Sequence, residues 1–168
     1  MLNEETHKSL DAFRKQVVKQ ARRNAQRFSA SGDLAKSLTS RLNVSKNSFS
    51  LEFLMEEYGN YQDKGVSGKN KKYNTPYKYT NKMPPSKALD KWTIRRGIAP
   101  RDKEGKFLSR KSLTFLIARS IFKNGIKPTL FFTKPFEKEF KKLPDTVLTA
   151  YGLDVEEFLE YTLENTFD

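Results

Sequence analysis

Between residues 3 and 55 the spacing of apolar side chains changes once, and that change limits the chain to folds that mix helix with antiparallel strand. Leu10, Phe13, Val17, Ala21, Ala25 and Phe28 fall three or four residues apart, which is one apolar face of a helix. The stripe predicts a long helix from Asn3 to about Ala30, with Lys15, Lys19, Arg22, Arg23 and Arg27 on its other faces. Glu4, Glu5 and Asp11 lie early and the bases lie late, in the sense that suits the helix dipole. The stripe is narrow and the basic faces are broad, so this helix is expected at a domain edge or between subunits. From Leu38 the period becomes two. Leu42 and Val44 alternate with Arg41 and Asn43, and Phe49, Leu51, Phe53 and Met55 alternate with Ser50 and Glu52. Around the polar Ser45-Lys46-Asn47-Ser48 these runs read as a β-hairpin.

The second half is organised by helix punctuation. Leu113, Leu116, Ile117, Ser120 and Ile121 make an aliphatic stripe that stops at Asn124-Gly125. Lys127-Pro128 blocks any restart. The compact cluster Phe131, Phe132 and Phe136 follows and is read mainly as core, with Phe140 and Leu143 continuing a further helical segment. Upstream, Pro84-Pro85-Ser86 opens a helix whose buried side is read as Ala88, Leu89 and Trp92, ended by Gly97. Residues 99–107 form a polar excursion. Residues 56–85 mix Gly, Asn, Pro, Tyr and Lys and read as one long loop. Tyr58, Tyr61, Tyr73, Tyr77 and Tyr79 argue against simple disorder there and are assigned to a partner interface. The fold expected is α+β: a long N-terminal helix, an antiparallel hairpin or small sheet, and packed C-terminal helices. The hairpin and the helix at 113–124 are expected to form the core. A single domain spans 1–143, and residues 144–168 form an acidic helical extension, with Val155, Phe158, Leu159 and Leu163 as its apolar side.

Charge narrows the chemistry. The formal net charge is +12, from 32 Lys and Arg against 20 Asp and Glu. From Pro144 onward there are seven acids and no base, so the first 143 residues carry +19. A basic body with an acidic end suits a polyanion partner, or head-to-tail association in which the acidic end of one copy meets the body of the next. Ordinary solvated surface charge remains the plain alternative. No cysteine is present, so disulfides and thiolate zinc sites are excluded. The single histidine, His7, has no second imidazole for a metal site or a triad. Gly65-Val66-Ser67-Gly68-Lys69 is too short between its glycines for a phosphate loop and is followed by Asn70 instead of Ser or Thr. Glu139-Phe140-Lys141 with Asp145 is a poor nuclease signature, because metal-dependent cleavage needs several converging carboxylates. A non-enzymatic protein is expected, with no cofactor, no metal and no small-molecule substrate. No run approaches the roughly 18 apolar residues of a membrane span, and a soluble protein without membrane contact is expected. Lys69, Lys71 and Lys72, interleaved with tyrosines, could neutralise phosphates while the rings stack on bases, or could simply be solvated charge on an interface loop.

Three segments together carry a resemblance. They are Tyr58-Gly59-Asn60-Tyr61 running into Asp63-Lys64-Gly65-Val66-Ser67-Gly68, then Lys91-Trp92 with Arg95-Arg96-Gly97, then Leu116-Ile117-Ala118-Arg119-Ser120-Ile121 ending in Gly125-Ile126-Lys127-Pro128 and Phe131-Phe132. In this order, over residues 1–143, the chain resembles the neck, head–tail connector or tail-completion proteins of tailed bacteriophages. The stretches 69–85 and 98–108 are longer than a minimal member needs, and the acidic segment 154–165 lies beyond the shared region. The resemblance implies a virion structural protein in the neck or tail, assembled in the host bacterial cytoplasm. It implies a homo-oligomeric ring of about six or twelve copies around the DNA channel. Partners would be the adjacent neck, portal or tail rings, with transient, non-specific contact to genomic DNA. On that reading Tyr58, Tyr61, Tyr73, Tyr77, Tyr79, Glu156, Glu157 and Glu160 are candidate subunit-interface residues, and Lys69, Lys71 and Lys72 are candidates to face the channel. The alternative class is a basic nucleic-acid-binding accessory protein acting as a monomer or dimer.

Overall fold

The N-terminal stripe folds as α1, Glu4–Gln26, and buries Leu10, Phe13, Val17, Val18, Ala21 and Ala25. The computed structural model describes residues 4–29, 31–44, 48–145 and 147–148. After α1 come α2 (Asp33–Ser37), β1 (Thr39–Val44), β2 (Phe49–Leu54), α3 (Tyr58–Lys64), α4 (Ser86–Arg95), α5 (Arg110–Asn124) and α6 (Thr133–Phe140). The protein is α+β as expected, with a long N-terminal helix, a two-stranded antiparallel sheet and further helices.

The chain divides into two compact units, residues 1–63 with 130–168 and residues 64–129. The stretch 1–143, read from the sequence as one domain, is thus split by residues 64–129. The chain leaves the first unit at Asp63 and re-enters it at Leu130, whose N–H donates to the Asp63 carbonyl at 3.0 Å. Leu130 holds a positive φ of 51°, costly for a residue with a Cβ. Nothing in the residue type announces that backbone state.

The first unit contains the hydrophobic core. Strands β1 and β2 pair in the register Thr39↔Leu54 to Val44↔Phe49, so Ser40 faces Phe53 and Leu42 faces Leu51. Leu51 and Phe53 are buried, and Glu52 between them is not. That alternation is the period of two seen in the sequence. Five phenylalanines knit helices to sheet. Phe13 lies 5.3 Å from Phe136 and 6.3 Å from Phe53, Phe53 lies 5.2 Å from Phe132, and Phe136 stacks on Phe140 at 6.1 Å. Most of these pairs are edge-on, the arrangement favoured by the ring quadrupole. Phe131, Phe132 and Phe136 are all but inaccessible, in line with their reading as core. Two arginines pin α1 to the start of β1: Arg22 donates to the Leu38 carbonyl and Arg14 to the Ser40 carbonyl at 3.2 Å.

Two sequence expectations about packing are corrected. Helix α5 is not part of the core with the hairpin; that place is taken by α1, α2 and α6. Its stripe is misread in phase as well. Leu113, Thr114 and Ala118 are buried, whereas Leu116 is exposed. On α4 the buried residue is Thr93, and Trp92 is exposed. On α5 apolar residues lie on more than one face, so the sequence defines no single stripe; on α4 Ala88, Leu89 and Trp92 do share a face, but that face stands largely at the surface. The long-loop reading of 56–85 is also corrected at its start, because α3 occupies Tyr58–Lys64 and Gly65 to Gly68 are buried. Helix α3 is only seven residues long and lacks a propensity signal, so tertiary packing decides it.

Candidate interaction surfaces

The segment Gly65–Gly68 crosses the end of α5 at backbone contact distance. Gly125 closes α5 with φ 73°, and its N–H returns to the Ile121 carbonyl at 2.7 Å. Val66 and Ile126 then exchange hydrogen bonds at 2.9 and 2.8 Å. A Cβ on Gly125 would lie 2.1 Å from the Val66 carbonyl oxygen, and one on Gly68 would lie 2.3 Å from the Lys123 carbonyl oxygen. Those atoms belong to the backbone and cannot swing aside. The glycine pattern that superficially resembles a phosphate loop therefore serves a close backbone crossing. Its donors are spent: the N–H groups of Val66, Ser67, Gly68 and Lys69 go to Ile126, Tyr77, Lys71 and Phe122 carbonyls.

The following turn caps α5. The Lys69 and Asn70 N–H groups donate to the Phe122 and Lys123 carbonyls at 3.0 and 2.8 Å, two of the acceptors that a helix C-terminus leaves unpaired. This brings Lys69, Lys71 and Lys72 to the negative end of the α5 dipole. Lys69 lies over the Phe122 ring at 5.9 Å, Lys71 over the Tyr73 ring at 5.5 Å, and Lys72 donates to the Gly68 carbonyl at 3.0 Å. All three residues are exposed. Ser67 and Thr75 hold the rest of the turn: the Ser67 hydroxyl accepts from the Tyr73 N–H at 3.0 Å, and the Thr75 hydroxyl donates to the Gly65 carbonyl at 2.9 Å.

The five tyrosines divide between the units. Tyr58 and Tyr61 lie on α3 in the first unit and are exposed. Burial of part of the Tyr58 ring, with Asp33 and Glu56 nearby, pushes its hydroxyl above the usual tyrosine range. Tyr73, Tyr77 and Tyr79 are half-buried in the second unit. Tyr79 packs 6.2 Å from Phe122, and desolvation raises its pKa. Glu156, Glu157 and Glu160 lie outside the described residues.

The composition of residues 64–129 escapes a reading by linear segments. They hold 18 Lys and Arg against three Asp and Glu, a net +15, while residues 1–63 and 130–168 together come to −3. The core cluster contains no residue of this second unit. Its buried apolar residues are Val66, Leu113 and Ala118. Met83, Trp92, Ile94, Ile98, Phe107, Phe115 and Leu116 are exposed, Ile94 and Phe107 at 56 %. The Arg101 guanidinium covers the Phe107 ring at 3.8 Å, and Arg110 reaches Asp90 at 3.5 Å. The exposed side chains of this unit are thus a mixture of basic, aromatic and aliphatic groups.

The first unit offers a second basic surface, centred on α1. Arg14, Lys15, Lys19 and Arg22 line a hollow of about 340 Å³ with Thr39 and Ser40. Lys19, Arg23, Arg27 and Lys138 line another of about 360 Å³. Neither lining includes an acid. Asp11, at the margin, is held below the usual carboxylate range by its bonds to Lys15 and Arg14. The sequence places Lys15, Lys19, Arg22, Arg23 and Arg27 on this helix, but the nucleic-acid role was expected of Lys69, Lys71 and Lys72.

Of the carboxylates of the nuclease reading, Glu139 has structural partners and Asp145 is exposed. Glu139 is buried, accepts from Gln20 Nε2 at 2.6 Å and from Lys142 Nζ at 2.8 Å. Among the described residues no group of three His, Cys, Asp or Glu could hold a metal ion. No described helix is long and apolar enough to cross a membrane. No protein-family model matches the chain, and no curated protein or solved structure matches it.

Proposed function

We propose that the protein is a non-enzymatic virion structural component, a subunit of a neck or tail ring of a tailed bacteriophage. Its ring would be a homo-oligomer stacked against adjacent portal, neck or tail rings and surrounding the DNA channel. The observation that carries the oligomeric part of the reading is the second unit, which exposes large apolar side chains and has no share in the core. An isolated surface of that kind favours association through apolar burial. The phage assignment rests on the order of the Tyr-Gly, Lys-Trp and Gly-Ile-Lys-Pro segments in the sequence. Size-exclusion chromatography with light scattering and negative-stain imaging test it. Closed rings, alone or with a portal or tail partner, are expected; a monomer at high concentration in both cases overturns the reading.

A second reading is favoured by the net +15 of residues 64–129 and by the acid-free hollows on α1. It is a nucleic-acid-binding accessory protein acting as a monomer or dimer. Tight DNA binding by the isolated subunit, falling steeply with salt, would select it over the ring.

A further inference from the structure

We propose that the row Lys15, Lys19, Arg23 and Arg27 on α1 is a nucleic-acid surface, which holds the phosphate backbone of a duplex without reading its sequence. The inference rests on the nucleic-acid contact that both readings above contain, and it names the surface that makes it.

The four cations stand at every fourth residue, so they form one ridge along α1. Twelve residues advance a helix by about 18 Å, which is the length of the ridge. All four residues are exposed. From Arg14 to Arg27 the helix holds six Lys and Arg and no Asp or Glu, although the unit as a whole comes to −3. The bases of this unit are therefore gathered on one helix. Like charges four residues apart repel and weaken a helix, so the row does not serve the stability of α1. Lys15 is paired with Asp11, whereas Lys19, Arg23 and Arg27 have no ion pair among the described residues. Lys19 lines both hollows and joins them. Arg14 and Arg22 complete the first, and Arg23, Arg27 and Lys138 complete the second. Glu139, next to Lys138 in sequence, is buried and bound by Gln20 and Lys142, so it does not neutralise the row.

The chemistry of the face selects its occupant. Gln16, Gln20 and Asn24 run beside the cations at the same spacing, so the face offers charges and amides. None of the large exposed apolar residues lies on α1. The acidic segment 154–165 carries Val155, Phe158, Leu159 and Leu163 among its carboxylates. Those side chains would find nothing apolar to cover here. Phosphates ask only for cations and polar donors. Single strands are usually held by stacking their bases on aromatic rings, and neither hollow has a ring in its lining. The face therefore suits the backbone of a duplex.

The test uses the full-length protein and a fluorescent duplex of about 30 base pairs, with anisotropy followed across a salt series. One variant carries Lys19→Gln, Arg23→Gln and Arg27→Gln; a control carries Lys69→Gln, Lys71→Gln and Lys72→Gln. Circular dichroism checks folding, and the first variant should melt no earlier than the native chain because it sheds like-charge repulsion. A third variant, Lys19→Arg with Arg23→Lys and Arg27→Lys, keeps the charge and should bind as the native chain does. The native chain is expected to bind with an affinity that falls steeply as salt rises. The first variant should bind roughly a hundredfold more weakly at about 0.1 M salt, with its log–log salt slope flattened by about three. Equal affinity for that variant and the native chain, no duplex binding by the native chain at low salt, or a loss confined to the Lys69 control would each overturn the inference. So would normal duplex binding with lost self-association, which would give the row to a protein neighbour. Light scattering on the same samples keeps the ring question separate. A monomer that binds DNA through this row overturns the ring and leaves the inference standing, and rings whose DNA binding ignores the row do the reverse.

Discussion

Replacing Asp63 is expected to unlatch α6 from the rest of the first unit. Its carboxylate is fully buried and accepts from the Phe132 N–H at 2.7 Å, the Thr133 N–H at 3.1 Å and the Thr133 hydroxyl at 2.5 Å. These groups open α6, so Asp63 caps a helix from a distance of about seventy residues in sequence. A capping side chain contributes about 0.5–2 kcal/mol. Hydrogen bonds to a charged acceptor contribute about 1.5–3 kcal/mol each, and a buried donor left unpaired adds about 1–3 kcal/mol. The three bonds share one carboxylate and are not additive. Asp63→Ala should therefore cost about 3–5 kcal/mol, within the range seen when a buried charged network loses a member. Asp63→Asn keeps an acceptor for the backbone donors and loses mainly the charge at the helix N-terminus, for about 1–2 kcal/mol. Urea unfolding followed by far-UV circular dichroism would measure both, since α1 makes the first unit the larger helical contributor. A cost below about 1 kcal/mol for Asp63→Ala, or equal costs for the two variants, would refute the latch.

Other consequences are separable by unit. Gly68→Ala should disrupt the crossing at the end of α5, because its Cβ would lie 2.3 Å from the Lys123 carbonyl oxygen. Trp92, the single tryptophan, reports on that unit alone, so its fluorescence should lose cooperativity while the first unit keeps its circular dichroism; an unchanged Trp92 transition would count against the crossing. Burial works to raise the pKa of Glu139, but hydrogen bonds from Lys142 and Gln20 outweigh it and leave the pKa lowered. The folded pKa lies below the unfolded one, so this stabilisation is complete above about pH 4.3 and is lost as pH falls through the folded value. Glu139→Gln should cost on the order of 1 kcal/mol at neutral pH, given the exposure of Lys142, and the gap to the native chain should close in acid; a gap independent of pH would contradict it. Phe132→Ala should cost about 3–5 kcal/mol in thermal or urea unfolding. Phe115→Ala, at an exposed site, should change monomer stability by less than about 0.5 kcal/mol yet weaken association; equal unfolding costs for the two would undo the distinction between core and interface.

Much of the first unit was legible in the sequence because its periods are clean. The stripe of α1 and the alternation of β1 and β2 each have one buried face, and local spacing records which face that is. Gly125 was legible as a helix stop for the same reason: its chemistry acts where it stands. The phenylalanines at 131, 132 and 136 could be read as core from hydrophobicity alone. On the candidate surfaces, spacing gave the cations of α1 but not the two hollows they line, and it gave the tyrosines but not their division between units.

Tertiary structure decided what depends on residues distant in sequence. Asp63 reads as one more acid in a polar loop until Phe132 and Thr133 are brought to it. Gly65-Val66-Ser67-Gly68 reads as part of one long loop until the end of α5 passes within backbone contact. Helix α5 carries apolar residues around much of its circumference, and the apolar stripe of α4 stands largely at the surface, so periodicity could not say which face is buried. The residue sequence determined that this chain is α+β, strongly basic and acidic at its end. Only the fold separated a well-cored unit from a +15 unit with several large apolar side chains outside, because burial is set by long-range packing and not by local spacing.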